Sequence, residues 1–349
     1  MIKVGIFVSA GLGNALLQIP MLKYLKSKNY HITGFFTSAF NCEELFEKSD
    51  WYDERIILTS SVIKSAGVVT KQLQSLDVVY LDYFSATKKN ILIAKALAKK
   101  IVTNRPENLV PKALQANLMF CSSVENIHEG LQNLKLVGSD KTTLSEQDFY
   151  LFDNESSNIR NQSKFLLPEK YIAVQISAGN NNTPYKVWPE NSWRVFLEKM
   201  TSKGFTFVLM GDNTEIELSK TISKNLTNVV NLTGKTSIND CIQLVDNCSF
   251  YLGLDSGLMH LAVALGKPTF TLWGGSDYRM YGYHTIDPNR HFITYQKMPC
   301  WPCNSYLNPN ITRVNDPLKC PNYECISTIS VEKVVGDFER FIKTIEFDK

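Results

Sequence analysis

Residues 250–274, FYLGLDSGLMHLAVALGKPTFTLWG, predict a strand, a turn of small residues, a helix and a second strand. The start of this helix offers three backbone N–H groups without a partner inside the helix, those of Gly257, Leu258 and Met259. The positive end of the helix dipole lies there too, and Gly257 lets the backbone approach closely, so we predict a site for a nucleotide pyrophosphate. Spacing alone leaves simpler interpretations open, in which Asp255 or Ser256 is only an N-cap and His260 is a buried, hydrogen-bonded core residue.

Four of the eight cysteines are crowded into one segment, where CWPC is followed by 16 residues and then by CPNYEC. Two closely spaced pairs are typical of tetrahedral zinc sites, and the ligands would be Cys300, Cys303, Cys320 and Cys325. Four thiolates leave no open coordination position, so a bound zinc or iron ion would be structural. Disulfides and free thiols are the alternatives.

These residues must be positioned by strands and helices that alternate along the chain. In the N-terminal half, apolar runs at 4–8, 31–36 and 77–82 predict buried parallel strands, with helices at 14–28 and 87–99 and a further short strand at 101–106. The first helix directly follows a turn that contains Gly11 and Gly13. Strand, glycine turn and helix in this order also favour phosphate binding.

A second series of strands follows a polar segment. Its members are predicted at 171–177, 205–211, 228–234, 250–255 and 268–274. We therefore predict an α/β fold with two doubly wound halves: an N-terminal domain at 1–152, a linker at 153–165 and a C-terminal domain at 166–330 that includes the cysteine segment. Residues 331–349 form the end of the chain, and apolar spacing predicts a closing helix at 331–346.

Composition narrows the classes of partner. A chain of 349 residues usually divides into two domains, and a formal net charge of +3 is far from the basicity of a nucleic-acid binder. No run approaches about 18 apolar residues, and the N-terminus lacks the features of a signal peptide. We expect a cytoplasmic protein, while a peripheral contact with the inner face of the membrane stays open.

Several motifs resemble those of the bacterial lipopolysaccharide heptosyltransferases. DSGLMHLAVALG at 255–266 closely matches a signature of that family, and SAGNNNTPYKVWPENSWRVFLEKM at 177–200 looks like the family segment with a small-residue loop and Lys-x-Trp-Pro. DVVYLDYFSATKKNILIAKAL at 77–97 resembles its N-domain strand ending in aspartate. Similar cysteine clusters occur in part of this group, including enzymes that modify autotransporter proteins. The resemblance covers essentially the whole chain.

The resemblance implies a GT-B fold, with two Rossmann-like domains that face an interdomain cleft, and inverting sugar transfer without a metal in the reaction centre. It implies that Ser177, Lys186, Asp255, Ser256 and His260 lie at the nucleotide donor. Lys186 would stabilise the leaving pyrophosphate, with an exposed surface lysine as the alternative. Glu215 could bind a ribose hydroxyl or could be only a first-turn helix carboxylate. Trp188 and Trp193 are expected to pack in the core.

The general base is where the sequence departs from the family. Inverting transfer needs a base for the proton of the acceptor hydroxyl, and the best-known members carry aspartate directly after the glycine of the first turn. Here the residue is Asn14, whose amide cannot accept that proton but could orient the acceptor or the sugar. Asp82 at the end of its strand is the nearest candidate, with a turn-capping role as the alternative.

The function that these features predict is transfer of a heptose or related hexose from a nucleotide-linked donor, with ADP-heptose favoured, to a surface glycan such as lipopolysaccharide core. The rivals are a protein-directed glycosyltransferase and a non-catalytic protein that binds sugar nucleotides. No organic cofactor is expected. The partners would be the nucleotide sugar and a glycan or lipid-linked acceptor, and the sequence leaves the oligomeric state open.

Overall fold

The computed structural model describes residues 1–59, 65, 67, 69–70, 72–122, 127–152, 164–178, 183–303 and 320–347. It divides into two compact units, Met1–Leu151 and Phe152–Lys349. The predicted boundary fell one residue later, at 152, and the predicted linker lies outside the described residues apart from 164 and 165.

The first unit is built on a parallel six-stranded sheet, counted over its described residues. In chain order the strands are β1 Lys3–Val8, β2 His31–Thr37, β3 Glu54–Leu58, β4 Leu76–Leu81, β5 Ala98–Thr103 and β6 Leu118–Phe120. Their order across the sheet is β3-β2-β1-β4-β5-β6, the doubly wound arrangement in which the chain reverses direction between β1 and β4. Polar side chains on the loops after these two strands therefore meet at one edge.

Helices connect the strands of the first unit. They are α1 Leu12–Leu17, α2 Ile19–Ser27, α3 Lys88–Leu97, α4 Lys112–Gln115 and α5 Glu129–Leu136. The single helix predicted at 14–28 is two helices, because Pro20 lies in the first turn of α2 and disfavours helical continuity through the residue before it. Gln18 lies at the junction, and its buried side chain donates from Nε2 to the Phe7 carbonyl at 3.0 Å.

The second unit repeats the same architecture. Its described strands are β7 Ile172–Gln175, β8 Phe207–Met210, β9 Val229–Asn231, β10 Phe250–Leu254, β11 Thr269–Trp273 and β12 His291–Tyr295. All neighbours are parallel, and the order β12-β11-β10-β7-β8-β9 places the reversal between β7 and β10. Of these strands, β12 was not predicted, and neither were β3 and β6 in the first unit.

The helices of the second unit cover this sheet. They are α6 Glu190–Ser202, α7 Ile216–Ser223, α8 Ile238–Asn247, α9 Gly257–Ala264, α10 Tyr278–Tyr281, α11 Glu324–Ser327 and α12 Val331–Thr344. The closing helix α12 is part of the core of this unit, since Phe338 lies 5.5 Å from Phe196 and Phe341 lies 5.2 Å from Phe250, measured between ring centroids.

Two tryptophans that the sequence assigned to packing are fully buried. Trp188 and Trp193 meet edge to face at 5.2 Å, and the Trp188 indole N–H donates to the Ile329 carbonyl at 2.8 Å. The packing role predicted for them is confirmed. Among the described residues, no helix combines the length and the apolar composition that crossing a bilayer requires.

Candidate functional site

The donor-site residues predicted from the sequence gather at the reversal point of the second sheet. Ser177 follows β7 and Asp255 directly follows β10, and these strands are adjacent with Val174 opposite Leu252. The carboxyl ends of parallel strands at such a reversal form the usual ligand crevice of an open α/β sheet. Ser177 is partly exposed there, whereas Asp255 is buried.

Lys186, which is partly buried, forms an ion pair with the buried Asp255. The Lys186 ammonium lies 2.6 Å from Oδ2 of Asp255 and also donates to the Asp255 carbonyl at 3.4 Å. Oδ2 accepts a second hydrogen bond from the Ser276 hydroxyl, at 2.6 Å. The lysine side chain is only 17% exposed, so the alternative of a surface lysine is wrong.

The charge state of Asp255 follows from these contacts. Burial by itself raises the pKa of Asp255, but the charge and hydrogen bond of Lys186, with the hydrogen bond from Ser276, outweigh that effect and hold the pKa below its usual value. The carboxylate is therefore ionised at neutral pH, and it fixes a positive charge at the carboxyl edge of the sheet.

The start of α9 lies beside this ion pair. No side chain caps this helix. Ser256 occupies the N-cap position without a capping hydrogen bond, and its hydroxyl is instead hydrogen-bonded to the Tyr251 hydroxyl at 3.0 Å. The Met259 N–H already donates to the Ser256 carbonyl at 3.2 Å, which corrects its prediction as an unpaired donor. The N–H groups of Gly257 and Leu258 lie in the first turn, where the helix itself supplies no carbonyl acceptor for them.

His260 has the simpler of its two predicted environments. It is buried, and its Nδ1 lies 2.8 Å from the hydroxyl of Tyr283. Burial lowers the pKa of His260 to about 4 against the opposing influence of Asp255, and Lys186 lowers it further. The imidazole is neutral at pH 7, so the local positive charge comes from Lys186 and the helix dipole.

Glu215 follows the neighbouring strand β8, in the short 3-10 helix Asn213–Glu215, and has capping geometry. Its Oε2 accepts from the Asp212 N–H at 2.9 Å and from Gln175 Nε2 at 3.2 Å, and the Asp212 side chain reciprocates in a capping box. The carboxylate is buried, and its Oε2 lies 2.2 Å from the position that a Cβ at Gly211 would take. This is the first-turn alternative that the sequence left open.

In the first unit, Asp82 directly follows β4 at the corresponding reversal point. Its Oδ2 accepts from Gln18 Nε2 at 2.5 Å and its Oδ1 from the Ser85 N–H at 2.6 Å. Burial raises the pKa of Asp82, and the hydrogen bonds from Gln18 and Ser85 offset only part of that effect. A raised pKa suits a proton acceptor, whereas the bond to Ser85 is what a turn-stabilising carboxylate makes.

Asn14 follows β1 on the other side of this reversal point. It is the third residue of α1, its N–H donates to the Gly11 carbonyl at 3.0 Å, and its side chain is partly exposed. A further carboxyl group, Glu129 at the start of α5, is buried close enough to sense the charge of Asp82. Burial, reinforced by Asp82, raises the pKa of Glu129 to about 8, so it is mostly protonated at pH 7.

The four clustered cysteines line one cavity in the second unit. Its volume is about 280 Å³, and Tyr185, Gly275 and Trp301 contribute to its wall together with Cys300, Cys303, Cys320 and Cys325. Burial, with the neighbouring thiols, raises the pKa of Cys303 to about 11 and that of Cys325 to about 12. Over the described part of the chain, no three His, Cys, Asp or Glu side chains stand as a group that could hold a metal ion.

Sequence reasoning missed Ser276, Tyr283, Gln18 and Glu129. A signal existed for Ser276, because it follows the glycine pair that comes after β11, at the same edge as Asp255. The other three are reached only through contacts between distant segments, which local patterns do not specify.

Comparison with known proteins agrees with this architecture. A family model described as glycosyltransferase family 9 (heptosyltransferase) matches residues 52–311, which is more than half of the chain. Lipooligosaccharide heptosyltransferase 2 of Haemophilus influenzae is 32% identical over 114 residues, which cover 31% of this chain and 33% of that enzyme. The chain thus matches about a third of the length of this curated relative.

Solved structures extend the likeness over the whole fold. ADP-heptose lps heptosyltransferase II of E. coli superposes with a TM-score of 0.73 at 16% identity, covering 99% of this chain and 100% of that one. An iron-containing dodecameric glycosyltransferase, TibC from enterotoxigenic E. coli, gives a TM-score of 0.60 at 14% identity and covers 98% and 76% of the two chains. At these identities the likeness is one of fold, the GT-B arrangement of two Rossmann-like domains.

Proposed function

The chain belongs to glycosyltransferase family 9, and we propose that it transfers a heptose from ADP-heptose, with inversion, to a lipopolysaccharide-core or other surface-glycan acceptor. The observation that carries the proposal is the ion pair of Lys186 and Asp255 beside the start of α9. It fixes the Lys186 ammonium next to a helix N-terminus at the ligand edge of the sheet. That combination suits a diphosphate leaving group.

In the proposed reaction, a base removes the proton of the acceptor hydroxyl as its oxygen attacks the anomeric carbon. The bond from that carbon to the diphosphate breaks, and ADP leaves with the added negative charge. Lys186 and the N–H groups of Gly257 and Leu258 would stabilise this charge. Asp255 holds the ammonium in place, and neutral His260 adds no charge to the site.

The base that we propose is Asp82, with Asn14 orienting the acceptor or the sugar. The raised pKa of Asp82 and its place after β4 support this role. Its hydrogen bonds to Gln18 and Ser85 support the competing role of a turn residue. Substitution of Asp82 and of Asn14 separates these alternatives.

The identity of the donor sugar in this proposal is inferred from the relatives. The E. coli structure is named for ADP-heptose, and the curated relatives are heptosyltransferases. Ser177 and Glu215 would lie near the nucleotide at the ends of β7 and β8. Because Glu215 is buried and committed to its capping box, a contact with the ribose would require a change in its present hydrogen bonds.

The decisive experiment is a single-turnover assay with purified protein, ADP-heptose, other nucleotide sugars and a truncated lipopolysaccharide acceptor. We expect ADP release and product with ADP-heptose. Lys186→Ala should weaken ADP binding about 10- to 150-fold, since a charge-assisted hydrogen bond contributes about 1.5–3 kcal/mol. Lys199→Ala, which breaks an exposed ion pair with Glu332, is the matched control and should bind ADP normally. ADP binding without donor consumption would instead support the non-catalytic alternative.

A protein acceptor is the second candidate, and the cysteine cavity is the observation that favours it. Clustered cysteines are a feature shared with protein-modifying members of this group. Incubation with an autotransporter passenger domain in place of the glycan tests it, with sugar incorporation read by mass spectrometry. A lipid-linked acceptor would in contrast bring the enzyme to the cytoplasmic face of the membrane.

We also propose that Cys300, Cys303, Cys320 and Cys325 bind one structural zinc or iron ion. The support is that all four line one cavity and that the TibC structure is described as iron-containing. Each sulfur of such a site lies about 2.3 Å from a zinc ion, so the four thiols would have to move closer together than they are in this structure. Elemental analysis of protein purified without added metal should find about one ion per chain. A metal-free, fully folded sample would remove the proposal.

A further inference from the structure

The segment that carries the first cysteine pair is hydrogen-bonded to a two-glycine turn, Gly274–Gly275, which follows β11. The Trp301 indole N–H donates to the Gly274 carbonyl at 3.0 Å, and the Cys303 N–H donates to the Gly275 carbonyl at 2.6 Å. On its other side, the Gly275 N–H donates to the Tyr185 carbonyl at 3.1 Å. The turn therefore lies between the cysteine segment and the residue that precedes Lys186.

Packing at this turn leaves little freedom. A Cβ atom at Gly274 would overlap the Tyr185 carbonyl oxygen, and one at Gly275 would lie 3.3 Å from the Tyr185 ring and 3.4 Å from Cβ of Cys303. Backbones in direct contact cannot shift independently, because interiors are close-packed. A displacement of the cysteine segment would thus reach Tyr185.

The same turn leads directly into the donor site. Ser276 comes next in the chain, and its buried hydroxyl donates to Oδ2 of Asp255, the oxygen that pairs with Lys186. The turn consequently supports both members of the ion pair. Lys186 is placed by the backbone of Tyr185, and the carboxylate is placed by Ser276.

We propose that Trp301 and Ser276 are positioning residues for the donor diphosphate, so that the cysteine segment controls nucleotide affinity through Lys186. This inference rests on the proposed function for the identity of the ligand. Neither residue needs to touch the donor, since each acts on the geometry of the Lys186–Asp255 pair. Sites that bind a charged group depend on such supporting contacts, because an ångström of looseness weakens them.

The experiment measures ADP affinity of the full chain by calorimetry. Trp301→Phe removes one N–H donor while the ring can still stack on Tyr278, 5.3 Å away, and we expect it to weaken ADP binding about 2- to 10-fold. In a Lys186→Ala background the same change should have no further effect, because coupled residues are not additive. Trp51→Phe is the matched control: it removes an indole hydrogen bond to Leu151 in the first unit and should leave ADP affinity unchanged.

Ser276→Ala provides a second variant in case Trp301→Phe fails to fold, and it should show the same dependence on Lys186. A loss of ADP affinity that persists in full without Lys186, or wild-type affinity in both variants, overturns the inference.

Acetylation of Lys186 by trace acetic anhydride, read by mass spectrometry, tests the coupling without nucleotide. Both variants should raise the labelling rate of Lys186 but not that of Lys199. If the wild-type protein binds no ADP, the proposed function fails while the labelling still decides the coupling, and an unchanged Lys186 rate then overturns it.

Discussion

At the scale of single residues, one oxygen atom of Asp255 accepts from both the Lys186 ammonium and the Ser276 hydroxyl. Burial alone would favour the protonated acid, and the paired ammonium reverses that preference. Removing Lys186 would leave a buried carboxylate without its counter-charge, which typically destabilises a protein. Loss of ADP binding in Lys186→Ala is therefore to be read beside its unfolding curve.

Asp82 and Asn14 give the first prediction at this scale. If Asp82 is the base, Asp82→Asn should lower turnover about 10²- to 10⁴-fold with little change in ADP affinity, because only proton transfer is lost. Asn14→Asp should be tolerated, since the two side chains are similar in shape and a carboxylate is favoured near a helix N-terminus. Steady-state rates and ADP titrations measure both.

The two variants also separate the alternatives. An unchanged rate in Asp82→Asn would assign Asp82 to its turn with Ser85 alone. A higher rate in Asn14→Asp would identify position 14 as the base position of a weakened enzyme. In Asp82→Asn, the new amide can accept from Gln18 Nε2 only through its oxygen, and its NH₂ group would oppose that donor. The melting temperature of this variant therefore controls for a loss of stability.

Glu129 gives a prediction about pH. Its pKa in the folded protein, about 8, exceeds the ordinary value of 4.5, so its effect on stability is most favourable below pH 4.5 and is lost progressively as pH rises to 8. Glu129→Gln cannot ionise and should gain stability relative to wild type across that window, by at most about 1.4 kcal/mol per pH unit. Urea unfolding at pH 5, 6, 7 and 8 measures it. Glu107→Gln, an exposed glutamate of the same unit, should show no such trend.

At the scale of elements, short connections decide what the strands and helices position. The Gly274–Gly275 turn lets three backbone segments meet at the donor site, and the break at Gln18 turns its amide toward Asp82. Glycine has opposite consequences in a tight turn and in a helix. In a tight turn it is required by space, whereas in a helix it weakens the element.

Two alanine substitutions test this contrast. Gly336 lies inside α12, and apart from the adjacent residues and the backbone of its own helix no heavy atom comes within 4 Å of the position that a Cβ would take there. Gly336→Ala should therefore stabilise the protein by about 0.5–1 kcal/mol. Gly274→Ala should destabilise it by about 1–3 kcal/mol through overlap with Tyr185. Urea unfolding measures both, and equal stabilities of the two variants would contradict the packing at the turn.

At the scale of the whole molecule, two units with the same strand order each present polar residues at their reversal points. The second unit holds the proposed donor site, and its core includes Phe338 and Phe341 of α12. The domain boundary predicted at 330 would remove this helix. Because these aromatic residues pack in the core, the folding unit includes α12.

Two fragments test that conclusion. A fragment of residues 152–349 should fold and bind ADP, with an affinity within about tenfold of the full chain, because the residues proposed to contact the diphosphate all lie within it. A fragment of residues 152–330 should fail to fold, since it exposes the aromatic faces that α12 covers. Circular dichroism and calorimetry decide, and a folded shorter fragment would contradict the role of α12.

The sequence by itself determined the fold class, most strands of both sheets and the segments that carry polar chemistry. These follow from local rules: apolar runs form buried strands, small residues form turns, and a parallel sheet brings the ends of its strands to one edge. Asp255 and the cysteines were identified on that basis, whereas Lys186 was identified through the family resemblance of its motif. The short edge strand β6 was missed because three residues give too little pattern.

Only the tertiary structure decided which of those residues meet. The Lys186–Asp255 pair joins positions 69 residues apart, and Ser276 reaches the same oxygen from another loop. The burial of Asp82 and the gathering of four cysteines around one cavity likewise depend on how helices and loops pack over the sheets. The physical reason is that periodicity encodes the face that a segment buries, whereas contacts between loops depend on strand order and register.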